Sequence, residues 1–194
     1  MRYPKDHKKQ ARAAILTSAA HRLKEKGFQG VGVDGLAASA QVTSGALYSN
    51  FGSKEAFLEQ VVDAQLGAEF AVVDDPDPAE RRRRLVEFLG VYLSEDHRED
   101  VAHGCLMPAL SGDVSRAGDS VREAYERRIL GVVALLAPAM QGPPEERERR
   151  AWVAVASMVG AVTIARALPD GEHARDVLGA VLQATRAGVT GNPA

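Results

Sequence analysis

A single cysteine, Cys105, leaves this chain with no intrachain disulfide, which fits a reducing compartment. Aromatic residues are scarce, at 5%. That scarcity, in a chain rich in alanine, argues against strands and for helices. The first residues, with Lys5, Asp6, His7, Lys8 and Lys9, lack the apolar run of a secretion signal. The uncharged run at residues 151–165 falls short of the ~20 residues that span a bilayer and reads as a buried helix. With a net charge of −2, the chain as a whole is not a generic binder of polyanions.

What is present is unevenly distributed. Residues 1–54 hold nine Lys/Arg against three Asp/Glu, a charge of +6. Residues 55–194 hold fifteen against twenty-three, a charge of −8. A basic head on an acidic body implies that only the head meets nucleic acid. A chain of 194 residues is long enough to bury a core without disulfides.

Periodicity predicts helices almost throughout. The first covers residues 6–26, with Leu16, Ala19, Ala20 and Leu23 on its apolar face and Gly27 as its stop. Two short helices follow, at 34–40 and 44–51, the second capped by Thr43. Gly52 ends it, and Ser53 caps a fourth helix predicted to run to Phe70. Asp74-Asp75-Pro76-Asp77-Pro78 is the clearest break. Beyond it, helices are expected around 85–93, 119–137, 145–168 and 173–188, with short helices and loops at 94–118. Within 151–165 only Ser157 and Thr163 are polar, and a helix apolar on all sides must be covered on all sides. The same helix pair from a second copy is the simplest cover, and burial within one protomer is the alternative.

Leu36, Ala37, Val42, Leu47 and Phe51 are spaced to lock the two short helices together, leaving Ser44, Ala46, Tyr48, Ser49 and Asn50 outward. Two crossed helices joined by a tight turn can place the second one in a DNA major groove. The full pattern is Gly27-Phe28, Val33, Leu36-Ala37, Ala40, Val42, Gly45-Ala46-Leu47-Tyr48, Phe51, Ser53-Lys54-Glu55 and Leu58. It resembles the tetracycline-repressor-like (TetR) family of bacterial regulators. Gly104-Cys105-Leu106, followed by Leu110, Val114 and Arg122, is similar to one subgroup of that family.

The resemblance implies an all-α homodimer. Residues 1–53 would form a three-helix helix-turn-helix DNA-binding domain, and residues 54–194 a helical ligand-binding and dimerisation domain. It implies a cytoplasmic repressor, not an enzyme, released from a palindromic double-stranded operator by a small molecule, with no cofactor, metal or membrane. Thr43, Ser44, Gly45, Ala46, Tyr48, Ser49, Asn50 and Lys54 are the implied DNA-binding residues. The basic arm of Arg2, Lys5, Lys8, Lys9 and Arg12 is expected to add salt-sensitive affinity. Phe88, Tyr92, Cys105, Met107, Tyr125, Trp152 and Met158 are candidates to line an apolar ligand pocket, and core packing accounts for each equally well. The fourth helix is the expected link between effector and DNA.

Two departures stand out. Gly32 occupies a position where the family usually has Ser or Thr, which removes a helix cap. Gln41 replaces the usual turn glycine, which predicts backbone strain.

Other readings are weaker. Gly30 to Gly35 spells a dinucleotide-binding glycine pattern, but a helix, not a strand, precedes it. Four consecutive arginines, Arg81 to Arg84, point around a helix and read as a solvated surface. His103 and Cys105 lack zinc-ligand spacing. A repressor that senses oxidants or electrophiles through Cys105 is an alternative to the reversible-ligand reading. A helical-bundle enzyme lacks clustered inward carboxylates or histidines, and an interaction adaptor would not explain the basic head.

Overall fold

The computed structural model describes residues 5–191, with side chains described from Lys9 onward. Among the described residues there are ten α-helices, two short 3-10 segments and no strand. The helices are α1 (Lys5–Lys26), α2 (Val33–Ser39), α3 (Ser44–Phe51), α4 (Lys54–Gln65), α5 (Pro78–Tyr92), α6 (Glu95–Glu99), α7 (Leu106–Val114), α8 (Asp119–Leu136), α9 (Pro144–Ala167) and α10 (Glu172–Thr190). The all-α expectation holds. Contacts divide the chain into two units, one of residues 5–68 with Val101–Arg128, the other of Glu69–Asp100 with residues 129–191.

In the first unit, Leu16, Ala19, Ala20 and Leu23 of α1 are buried together with Leu36, Leu47, Phe57 and Val61. Gly27 closes α1 with φ +72°, and its N–H donates to the Leu23 carbonyl at 2.7 Å. A Cβ at this glycine would stand 2.9 Å from Asp113 Oδ2, so the turn and α7 approach closely. Segment 101–105 also docks on α1: Lys24 donates to the Gly104 carbonyl at 2.8 Å, and the His21 and His103 rings meet edge-on at 4.7 Å.

The fourth helix is shorter than predicted. It ends at Gln65 rather than Phe70, because Leu66 turns to ψ 122° and Gly67 adopts φ +72°. Phe70 and Val73 are instead buried from a 3-10 segment, Ala68–Val73.

The second unit is built on α5, α9 and α10 with the aromatic cluster of Phe70, Phe88 and Tyr92, whose centroids lie 4.8–5.9 Å apart. Asp77 caps α5, accepting from Ala79 N–H, with Pro78 in the first turn. Arg98 is 7% exposed and donates to the Ala165 and Leu168 carbonyls at the end of α9 and to Asp170. A cation is favourable there, facing carbonyls that lack helical partners.

The arginine run differs from its expected solvated state. Arg83 is exposed and pairs with Glu80 and Glu87. Arg81 donates to the Asp75 and Leu135 carbonyls, Arg82 to Ala139, and Arg84 to Asp74. Pointing around the helix is what lets three of them tie separate backbone segments to α5. Hydrogen bonds from Arg83 and Arg84 hold the Glu80 carboxyl down at about 2.

The uncharged run lies in α9, which taken whole is long and apolar enough to cross a membrane by length and composition. Its Ala151, Ala154, Val155, Met158, Ala161, Val162 and Ala165 are buried at helical spacing, while Trp152, Val153 and Ile164 are exposed. Half of the run is therefore covered within the protomer, chiefly by α10.

Candidate nucleic-acid interface

The α2–turn–α3 segment is assembled by local bonds. Asp34 in the first turn of α2 accepts a hydrogen bond from the Ser44 hydroxyl across the turn. Val42 N–H donates to the Ala37 carbonyl at 3.0 Å, and Gln41 sits at φ +55°. That is the left-handed conformation expected from the missing glycine, and it is strained for a residue with a side chain. Gly32 begins α2 with no side-chain cap, as its lack of a hydroxyl requires.

Leu47 and Phe51 of α3 point into the unit, while Gly45, Tyr48 and Ser49 are exposed and Ser44, Ala46 and Asn50 are half-buried. Tyr48 is the large side chain on the outer face, 47% exposed. Several polar groups turn back on the helix. Thr43 Oγ1 accepts from Ala46 N–H at 3.1 Å, and Ser49 Oγ and Asn50 Nδ2 both donate to the Ala46 carbonyl. The outward surface of α3 is thus small and low in free donors around one tyrosine. Ser53 caps α4, and the half-buried Lys54 uses one of its three ammonium N–H groups on the Phe28 carbonyl at 2.8 Å.

Of the basic arm, Arg2 and the side chains of Lys5 and Lys8 lie outside the described residues; Lys9 is exposed. Arg12 does not extend outward with the arm. Its guanidinium is engaged by Asn50, Gln60 and the Phe51 ring. The signal was in the spacing: Arg12 lies one turn before Leu16 on the buried stripe of α1.

The seven candidate pocket residues are divided between the two units. Cys105, Met107 and Tyr125 belong to the first unit, and Phe88, Tyr92, Trp152 and Met158 to the second. Cys105 is 1% exposed, and its Sγ accepts from Met107 N–H at the start of α7. Met107 and Met158 are fully buried, Phe88 and Tyr92 share the aromatic cluster, and Trp152 sits at the surface. Tyr125 bonds Ser111 at 2.7 Å; burial raises its hydroxyl above the usual tyrosine range, partly offset by that bond. It lines a cleft of about 500 Å³ with Ser111, Val114, Asp119, Arg122 and Glu126, none of which sequence reasoning assigned to a pocket. A second cleft of about 310 Å³ adjoins Phe28, Lys54, Glu55, Leu58 and Asp113. Both are framed by α8 meeting other elements, a juxtaposition no single segment encodes. Among the described residues no three His, Cys, Asp or Glu side chains group to hold a metal.

This geometry defines a helix-turn-helix module within an all-helical protein. Residues 15–61 match the model of the bacterial regulatory proteins of the tetR family. The chain is 26% identical over 137 residues to the HTH-type transcriptional repressor NemR of Escherichia coli strain K12, covering 69% of each chain. The reduced form of E. coli NemR superposes with a TM-score of 0.75 at 23% identity, covering 95% of this chain and 99% of that one. A TetR transcriptional regulator from Legionella pneumophila gives 0.72 at 14% identity, covering 91% and 96%. Residues 15–61 thus resemble the DNA-binding module of TetR-family regulators, and the fold of the chain is similar to that of solved members of that family.

Proposed function

We propose that the protein is a cytoplasmic homodimeric repressor that leaves a near-palindromic operator when a small molecule binds its C-terminal region. The observation that carries DNA binding is the capped α3 with its outward face around Tyr48, set in a +6 head on a −8 body. Residues 1–53 are the DNA-contacting part and residues 54–194 the responding and dimerising part. Ser44, Gly45, Ala46 and Tyr48 face base edges, and Thr43, Ser49, Asn50 and Lys54 approach phosphates. The related NemR is named a repressor, which supports repression here. Dimerisation is supported by the apolar outer face of α9, where Trp152, Val153 and Ile164 are exposed.

The test is selection of a duplex from a random pool by the wild-type protein, followed by titration. Half-sites separated by about one or more helical turns are expected, with affinity on the order of 10⁻⁸ to 10⁻¹¹ M. Tyr48→Ala is expected to weaken the operator by about 1–3 kcal/mol and relax its preference. Lys54→Ala should weaken all sequences similarly and lower the salt slope by about one. If both variants retain wild-type affinity, the assignment of α3 is wrong.

A reversible ligand is favoured over thiol chemistry because the Cys105 sulfur is buried and already serves as a helix cap. Cys105→Ser is expected to bind and release operator as wild type does. Loss of release in that variant alone would instead establish the thiol as the trigger.

A further inference from the structure

Arg12 precedes Leu16 by one turn of α1 and shares its stripe with Leu16, Ala19, Ala20 and Leu23, all buried. A guanidinium drawn toward a core requires partners, and this one has three. Its Nη1 donates to the Asn50 carbonyl at 2.7 Å, and its Nη2 donates to Gln60 Oε1. Its Cζ lies 4.3 Å from the centre of the Phe51 ring.

Two of these partners are the last two residues of α3. The final carbonyls of a helix have no donor within it, and a cation there also meets the negative end of the helix dipole. Phe51 is 5% exposed and packs edge-on against Phe57 of α4 at 4.7 Å. Gln60 is itself fixed, since its Nε2 donates to the Ala56 carbonyl at 3.2 Å, leaving Oε1 to accept from Arg12. One planar fork thus joins α1 to the end of α3 and the middle of α4. A lysine ammonium, a point charge without the fork or the flat face, does not reproduce that seat.

We infer that Arg12 is a positioning residue for DNA readout: it fixes the rotation and axial placement of α3, and hence of Tyr48, and is not a phosphate ligand of the basic arm. The inference rests on the DNA-binding reading above. The two roles leave different signatures. A phosphate contact weakens all sequences alike and contributes about one to the salt slope. A positioning contact acts on the operator more than on other DNA, because base contacts tolerate only small displacements.

The experiment compares wild type, Arg12→Ala, Arg12→Lys and Gln60→Ala on two duplexes, the operator selected by the wild-type protein and a scrambled version. Salt is varied, and the temperature is kept well below each variant's melting point by circular dichroism. Arg12→Ala is expected to lower operator affinity roughly ten- to hundred-fold, the ratio that corresponds to a hydrogen bond from a charged group. Scrambled-duplex affinity and the salt slope should stay near wild type. Arg12→Lys, which keeps the charge, should fail to restore discrimination, and the uncharged change Gln60→Ala should shift it in the same direction. Equal losses on both duplexes with a slope lower by about one, and rescue by Arg12→Lys, would overturn the inference. So would unchanged discrimination in Arg12→Ala. Should Arg12→Ala not fold, Arg12→Lys and Gln60→Ala decide alone: wild-type discrimination in both overturns it. Failure of the wild-type protein to select any duplex is a separate result that removes the DNA-binding reading itself.

Discussion

The segment from α2 to α3 and the pair α9–α10 are both helices packed on helices, yet they are specified differently. In the first, each boundary is written next to the residue it controls. Thr43 and Ser53 cap the helices that follow them, Gly52 ends α3 at φ +85°, and Asp34 reaches Ser44 across ten residues. In the second, α9 begins at Pro144 with no side-chain cap and carries apolar side chains on several faces. Which of those faces is core depends on α10 and on Arg98, which lies 67 residues before the Ala165 carbonyl it meets. Local bonds fix the start, end and turn of an element; remote packing fixes its inward face.

The largest expected effect breaks the first region from within. Leu47 is fully buried in α3, so Leu47→Ala should cost about 2–5 kcal/mol of stability and abolish operator binding. Denaturant unfolding read beside DNA binding checks it, and a loss below about 1 kcal/mol would show that α3 is not anchored by this residue.

The next effect separates two faces of α9. Val162 is fully buried, so a charge there disturbs the protomer's own core, whereas Val153 is 61% exposed. Val153→Glu should leave the helical fold intact and weaken the dimer by about 2–5 kcal/mol, the cost of an unpaired charge in an interface. Light scattering of both proteins at micromolar concentration tests this. A monomeric wild type would end the comparison, because the outer face would then need no partner.

A smaller gain should come from supplying the cap that α2 lacks. Gly32 has φ −76° and ψ 168°, and open space surrounds a Cβ built there. Gly32→Ser should therefore stabilise the protein by about 0.5–1 kcal/mol, from the new cap and from a less flexible unfolded chain. A lower melting temperature would contradict it.

The smallest effect concerns pH. Glu80 on α5 has its folded carboxyl lowered to about 2 by Arg83 and Arg84, against an ordinary value of 4.5. A lowered folded value means a contribution present above 4.5 and lost as pH falls through about 2. Glu80→Gln should reduce the drop in stability across that window slightly, since the site is open to solvent. An unchanged acid profile would show that this surface network contributes nothing measurable.

The difference between the regions also explains what sequence reading missed. Apolar residues alone do not show where α4 ends short of Phe70; Gly67, at φ +72°, is the local signal for its stop after Gln65. Arg81 and Arg82 reach the carbonyls of Leu135 and Ala139, more than fifty residues away, so the local pattern of a run pointing around its helix cannot show that they are held. Arg12 adds to the charge of the basic arm, while its position on the α1 stripe marks it as inward. The cleft beside Tyr125 was not legible, because Ser111 and Asp119 come together only when α7 meets α8.

The sequence by itself determined the helices, the caps at Thr43 and Ser53, the strained turn at Gln41, and the charge contrast between head and body. Each follows from neighbouring residues or from summed charge, and both are properties of the chain before it folds. Only the tertiary structure decided that Arg12 faces α3, that Cys105 caps α7 from a buried position, and that α9 keeps Val153 outside and Val162 inside. Those outcomes are set by which surfaces meet across long sequence separations, where burial and the need of each donor for an acceptor select one arrangement among several that local pattern allows.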